Sequence, residues 1–197
     1  MSSAIAQHAI LNTDCQTKGI KHMSHGVTVP QITFKYRVRD TSIGGDNPFR
    51  WQDITSDDIF SNKKVVVFSL PGAFTPTCST FQVPGFEAAY DELKQLGVDE
   101  VYVLSVNDTF VMRKWMLDQG IKNIKFIPDG NGEFTRQMGM LVDKHNVGFG
   151  QRSWRYAMVV NNGVVEHWLE EPGRKDNNGT DPFSVSSAES VLVAIKS

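Results

Sequence analysis

The sequence predicts a three-layer α/β fold, with a mixed central sheet and helices on both of its faces. Three observations lead there. Short apolar runs rich in β-branched residues, at 65–70 and 101–106, alternate with stretches whose apolar residues recur at helical spacing. Near the C-terminus, two further strand-like runs at 155–160 and 164–169 flank Asn161-Asn162-Gly163, a tight-turn signal for a hairpin. Strand–helix–strand alternation closed by a hairpin gives a layered α/β arrangement. The 197 residues, 40% of them hydrophobic, suit one domain that buries its core without disulfide or metal staples.

Taken in order, residues 1–28 show little apolar periodicity and are expected to form a flexible N-terminal arm ahead of a domain spanning 29–197. The arm carries neither the marks of a cleaved signal nor an apolar span of membrane length. His8, His22 and His25 lack acidic or thiol ligands at regular spacing, so no metal is expected there. Next, Ile32, Phe34, Tyr36 and Val38 alternate with Thr33, Lys35, Arg37 and Arg39, a strand with one apolar face and one basic, solvated face. Gly44-Gly45-Asp46-Asn47-Pro48 is a turn; tandem glycines without the rest of a phosphate-loop pattern do not indicate a nucleotide. Residues 54–60 read as a short capped helix leading to the buried strand 65–70. Phe86, Ala89, Tyr90 and Leu93 mark a helix reaching Gly97, which Pro84 should kink. Strand 101–106, a helix near 110–117, a strand at 125–127, the turn Pro128-Asp129-Gly130 and a short helix near 134–138 lead to the hairpin. A helix near 187–195 completes the chain.

Composition excludes several classes. The formal charge of −2, from 20 basic and 22 acidic residues, provides no general field for nucleic acid or an anionic membrane. Two cysteines, Cys15 and Cys78, argue against a secreted disulfide scaffold, and a soluble, cytoplasmic protein is expected.

The chemistry concentrates in Pro71-Gly72-Ala73-Phe74-Thr75-Pro76-Thr77-Cys78. Pro71 and Gly72 stop the buried strand; Thr75 is a candidate N-cap and Pro76 the first residue of a helix. Cys78 then falls in the first turn, where unpaired N–H groups and the helix dipole favour the nucleophilic thiolate. Thr75, three residues earlier, can present its hydroxyl to the same point and orient an oxygen-bearing substrate. Position alone also admits an inert, buried structural cysteine.

This stretch resembles the peroxidatic motif of the peroxiredoxins, Pro-x-x-x-Thr-x-x-Cys, in the form found in their atypical type II branch. The resemblance continues through Leu104-Ser105-Val106-Asn107-Asp108, through 126–134 and through Arg152-Ser153-Trp154-Arg155-Tyr156, covering about residues 29–196. It is strongest toward bacterial members, some of them fused to a glutaredoxin domain. It implies a thioredoxin-like fold and a thiol-dependent peroxidase without metal or organic cofactor. The family's usual start near Val27 makes Met23-Ser24 a candidate biological start.

By the same resemblance, Arg155 lies beside the reactive cysteine, where its guanidinium favours the thiolate and binds peroxide oxygens. Arg152 is read instead as a surface ion-pair partner. Pro71 screens the sulfur from solvent, Gly72 contacts substrate, and Phe149 lines an apolar wall for alkyl hydroperoxides. Phe74, Phe110 and Trp154 are packing or dimer-contact residues, and a homodimer through the face near Phe74 and Phe110 is expected. Cys78 attacks the terminal peroxide oxygen to give a sulfenic acid. The segment 173–187 and position 103, where many type II relatives carry a resolving cysteine, have none here, and Gln82 replaces a frequent histidine. A one-cysteine cycle is therefore expected, reduced by glutathione with glutaredoxin (or by thioredoxin) acting in trans, with Cys15 as the less favoured resolver.

Other chemistries fit less well. A thioredoxin-type reductase needs a second cysteine where Thr75 stands. A cysteine hydrolase needs a histidine base, for which only His145 and His167 offer themselves. A non-enzymatic redox sensor would use the same activated thiol and differs in lacking turnover.

Overall fold

The structure is a computed structural model that describes residues 26–197. In chain order its elements are β1 (Thr33–Arg39), β2 (Phe49–Thr55), α1 (Ser56–Phe60), β3 (Lys64–Ser69), α2 (Val83–Ala88), α3 (Tyr90–Gln95) and β4 (Glu100–Ser105). There follow α4 (Thr109–Asp118), β5 (Lys125–Pro128), α5 (Glu133–Gln137), β6 (Leu141–Asp143), β7 (Gln151–Ser153), β8 (Tyr156–Asn161), β9 (Val164–Glu170) and α6 (Ala188–Lys196). A five-stranded sheet runs in the order β5–β4–β3–β8–β9. Strand β3 pairs parallel with β4 and antiparallel with β8, so the sheet is mixed as expected.

The β-branched run of β3 sits in the middle because both of its faces are apolar. Val65 and Val67 join Leu104, Ile127 and Met158 in one core, closed by β1, α1 and α5. Val66 and Phe68 join Val101, Val103 and Val159 in the other, closed by α2, α3, α4 and α6. Phe68 stacks on Phe86 at 3.9 Å between ring centres, which fixes α2 against the strand that leads to Cys78. Local signals placed the remaining elements. A capping box between Thr55 and Asp58 starts α1, Asp108 caps α4, and Ser187 caps α6. Asn162 and Gly163 both take positive φ, the pair a tight two-residue hairpin demands.

Several expectations need correction. Residues 26–28, assigned to the arm, are tied to the domain: Thr28 bridges Val164, and Gly26 N–H donates to the Val165 carbonyl. The basic stripe of β1 is solvated as expected at Lys35 and Arg39, and only Arg37 is half-buried. It lies along β2, a strand whose mixed pattern gave no period-2 signal; Lys35 pairs with Asp53, and Arg37 lies over Trp51. The short β6–β7 pair was also illegible, being three residues per strand. Pro84 does not kink a continuous helix: the irregularity precedes it, as a π-turn over Cys78–Gln82, and a second break falls at Ala89 between α2 and α3. Proline has no N–H to give, so the widened turn just before it costs the helix little. Cys15 and the three histidines of the arm lie outside the described residues.

Candidate active site

The sulfur is presented by the loop between β3 and the π-turn. Pro71 and Gly72 are buried, and the Ala73 N–H donates to Asn107 Oδ1 at 3.0 Å, which also accepts from Ser105 Oγ at 2.7 Å. Asn107 thereby ties the loop to the end of the neighbouring parallel strand. Phe74 has φ 62°, an uncommon conformation for a residue with a Cβ, and it turns the chain so that Pro76 opens the helix. Ser79 N–H donates to the Thr75 carbonyl at 3.0 Å, closing the first turn with Cys78 inside it. Val83 N–H reaches back to the Cys78 carbonyl, which makes the turn a π-turn.

Thr75 is where expected in the chain but not as a side-chain cap. Its hydroxyl donates to the Gly72 carbonyl at 2.8 Å, because the turn at Phe74 brings that oxygen within reach. The oxygen's lone pairs remain free to accept from a substrate. Packing at Gly72 is close: a Cβ there would meet Thr75 Cγ2 at 3.4 Å and Asn107 Oδ1 at 3.8 Å.

Seventy-seven residues downstream, Arg155 stands immediately before β8, and the antiparallel pairing of β8 with β3 delivers it to the sulfur. Cys78 is 0% and Arg155 1% exposed. Nη1 of Arg155 lies 3.5 Å from Cys78 Sγ and also donates to Gln82 Oε1, one helical turn on. Nη2 lies 2.6 Å from both carboxylate oxygens of Asp181. The Phe183 ring covers the guanidinium, 5.7 Å away. Nε is buried without a protein partner among the described residues. Burial alone would lower the pKa of Arg155; the charge at Cys78 and the hydrogen bond and charge of Asp181 outweigh it and raise it instead. The guanidinium is thus a fixed, permanent cation against the sulfur.

Arg152 is separate from this cluster: its Nη1 donates to the Val106 carbonyl, and its guanidinium lies 5.9 Å from the Phe149 ring. It is not the surface ion-pair partner expected, since it is half-buried and bonds backbone. Phe149 is 39% exposed in the loop before β7. Trp154 is packed in the core with its N–H on the Glu171 carbonyl, while Phe74 and Phe110 are 53% and 57% exposed. His145 lies in a turn and His167 on β9, whereas the polar partner of Cys78 is Arg155. A cleft of about 730 Å³ between β1, β2, α4 and β5 includes no residue of the Cys78 cluster. Asn107, Asp181 and the accepting role of Gln82 escaped the sequence reading. The contacts of Asn107 with Ala73 and of Gln82 and Asp181 with Arg155 span 26 to 73 residues, and no local pattern announces them.

A buried cysteine in the first turn of a helix, faced by a guanidinium, on a mixed sheet with helices on both faces defines a thiol-based redox protein. The Redoxin family model matches residues 48–192. A peroxiredoxin of Rhizobium etli is 63% identical over 168 residues, which are 85% of this chain and 94% of that protein. Among solved structures, the Plasmodium falciparum antioxidant protein, a 1-Cys peroxiredoxin, superposes with a TM-score of 0.80 at 37% identity, covering 87% of this chain and 98% of the other. Reduced Prx3 from Vibrio vulnificus in complex with hydrogen peroxide gives 0.74 at 36% identity, covering 88% and 96%. The chain belongs to the peroxiredoxins, with their thioredoxin-like fold, and it is a thiol peroxidase.

Proposed function

We propose that Cys78 is the peroxidatic nucleophile of a one-cysteine cycle that reduces hydrogen peroxide and alkyl hydroperoxides. The observation that carries this is the 3.5 Å approach of Arg155 Nη1 to a fully buried Cys78 Sγ. The thiolate attacks the terminal peroxide oxygen; the S–O bond forms as the O–O bond breaks, giving a sulfenic acid and an alkoxide or hydroxide that takes up a proton. Arg155 holds the sulfur's charge and, through the donor left free at Nε, the oxygens between which charge moves. Thr75 orients the peroxide, Pro71 screens the sulfur from bulk solvent, Gly72 contacts the substrate, and Phe149 supplies apolar surface for an alkyl group.

The cysteine positions support the recycling half of this reading. The chain has Cys15 and Cys78 and no cysteine after residue 78, so the C-terminal segment offers no resolver. The 1-Cys designation of the Plasmodium falciparum protein supports the same reading. The sulfenic acid condenses with glutathione, releasing water, and glutaredoxin removes the glutathione by thiol–disulfide exchange. The protein acts in the cytoplasm as a homodimer whose contact includes the exposed Phe74 and Phe110.

The test is NADPH consumption driven by peroxide, with glutathione reductase, glutathione and glutaredoxin or with thioredoxin and its reductase. Turnover with the glutaredoxin system, abolished in Cys78→Ser and kept in Cys15→Ser, is expected. Loss of turnover in Cys15→Ser with sulfenate formation intact would overturn the one-cysteine cycle.

A further inference from the structure

The guanidinium that faces the sulfur is held from its other side by a stretch of chain with no part in the motif. Residues 181–186 pass over Arg155: Asp181 takes Nη2 at 2.6 Å, and the Phe183 ring lies 5.7 Å from the guanidinium carbon. Ser186 gives its carbonyl to Gln82 Nε2 at 3.4 Å, next to the Gln82 oxygen that receives Nη1. The stretch is fastened by Glu171, 1% exposed, whose carboxylate accepts from the backbone N–H groups of Ser184, Val185 and Ser186 and from both serine hydroxyls, all at 2.8–2.9 Å. Glu171 is itself anchored where its N–H donates to the Arg155 carbonyl at 3.1 Å. The loop of contacts closes on the arginine it began with.

We propose that Asp181 is a positioning residue for the peroxidase reaction, delivered by a strap that Glu171 holds shut. A guanidinium offers five N–H donors, and rotation about its long side chain could present any of them to the sulfur. Asp181 occupies Nη2 and Gln82 shares Nη1, which leaves one orientation with Nη1 on the sulfur and Nε unclaimed. The contacts of the Asp181 carboxylate are with Arg155 Nη2. Asp181 acts through Arg155, and its side chain is 41% exposed, so replacing it does not open the core. In place of a resolving cysteine, the C-terminal segment supplies a carboxylate that keeps the site assembled.

The inference rests on Cys78 being the peroxidatic thiol, and its experiment separates the two. Single-turnover oxidation of Cys78 by hydrogen peroxide is followed by intrinsic fluorescence, and alkylation of the same thiol by iodoacetamide is measured in parallel. Alkylation needs the thiolate but no oriented peroxide. In Asp181→Ala the peroxide rate constant is expected to fall on the order of 10²-fold, the usual cost of misplacing a positioned group. Alkylation should stay within a few-fold of wild type, because Gln82 still holds Nη1 beside the sulfur while a neighbouring negative charge is gone. Asp181→Asn, which keeps an accepting oxygen, should recover a large part of the peroxide rate. A peroxide rate within threefold of wild type in Asp181→Ala overturns the proposal, as does a parallel loss of both rates, the mark of a merely structural role. If wild-type Cys78 is itself unreactive toward peroxide, the peroxidatic assignment fails, whatever Asp181 does.

Discussion

Replacing Arg155 by methionine keeps the apolar stem and removes the cation, so it isolates what the guanidinium does. With Nη1 3.5 Å from Sγ, the gross Coulomb attraction to a thiolate is about 5 kcal/mol at an effective dielectric of about 20. Asp181, 2.6 Å from Nη2, cancels part of that. What remains is comparable to the loss of one preorganised donor from an oxyanion site, about 3–4 kcal/mol, or a 10²–10³-fold fall in kcat/KM. The fold should survive. Gln82 Oε1 is left buried without its donor, at a cost of about 1–3 kcal/mol, while Asp181 is exposed enough to be hydrated. Stopped-flow oxidation by hydrogen peroxide, with thermal unfolding measured alongside, reads both effects. Arg155→Lys should fall between, because a compact ammonium cannot meet Cys78, Gln82 and Asp181 at once. A folded Arg155→Met variant within threefold of wild type would refute the reasoning.

Other outcomes follow from the same contacts. Thr75→Val removes the hydroxyl that bonds the Gly72 carbonyl and orients peroxide; single-turnover oxidation should slow about 10-fold or more, with unfolding temperature nearly unchanged, and an unaltered rate would remove Thr75 from the site. Glu171 has a dependence on pH with a definite sign. Burial pushes its carboxyl up, but hydrogen bonds from Val185, Ser186 and Ser184 outweigh this and hold it below the ordinary range. Its contribution is therefore present above the unfolded value of about 4.3 and lost as pH falls through the lower folded value. Glu171→Gln should flatten the acid limb of a plot of unfolding temperature against pH, and an unchanged slope there would contradict the clamp. Phe110→Asp should dissociate a dimer that uses this face, read by light scattering; an unchanged mass would place the contact elsewhere.

Strand β3, the hairpin β8–β9, the capped helices α1, α4 and α6, and the first-turn position of Cys78 were legible because each depends on residues within one or two turns of each other. Caps, tight turns and apolar runs are local chemistry, and local chemistry is written in sequence order. Strand β2 was not legible: Phe49-Arg50-Trp51-Gln52-Asp53-Ile54-Thr55 has no consistent apolar face, and it forms a strand because β1 offers it a ladder. The π-turn at Cys78 was missed for a related reason, since a widened turn has no composition of its own.

Pro71, Thr75 and Cys78 were readable as one motif because they share one loop and one helical turn. Arg155 came from family likeness, and its physical cause is the antiparallel register that sets Tyr156 opposite Ser69. Nothing in the order of residues pointed to Asp181 or Glu171, whose meaning depends on a strap laid across another strand's arginine. By itself the chain determined where a nucleophilic sulfur would stand. Only the tertiary structure decided which groups hold the charge opposite it, because those contacts join positions that no local interaction brings together.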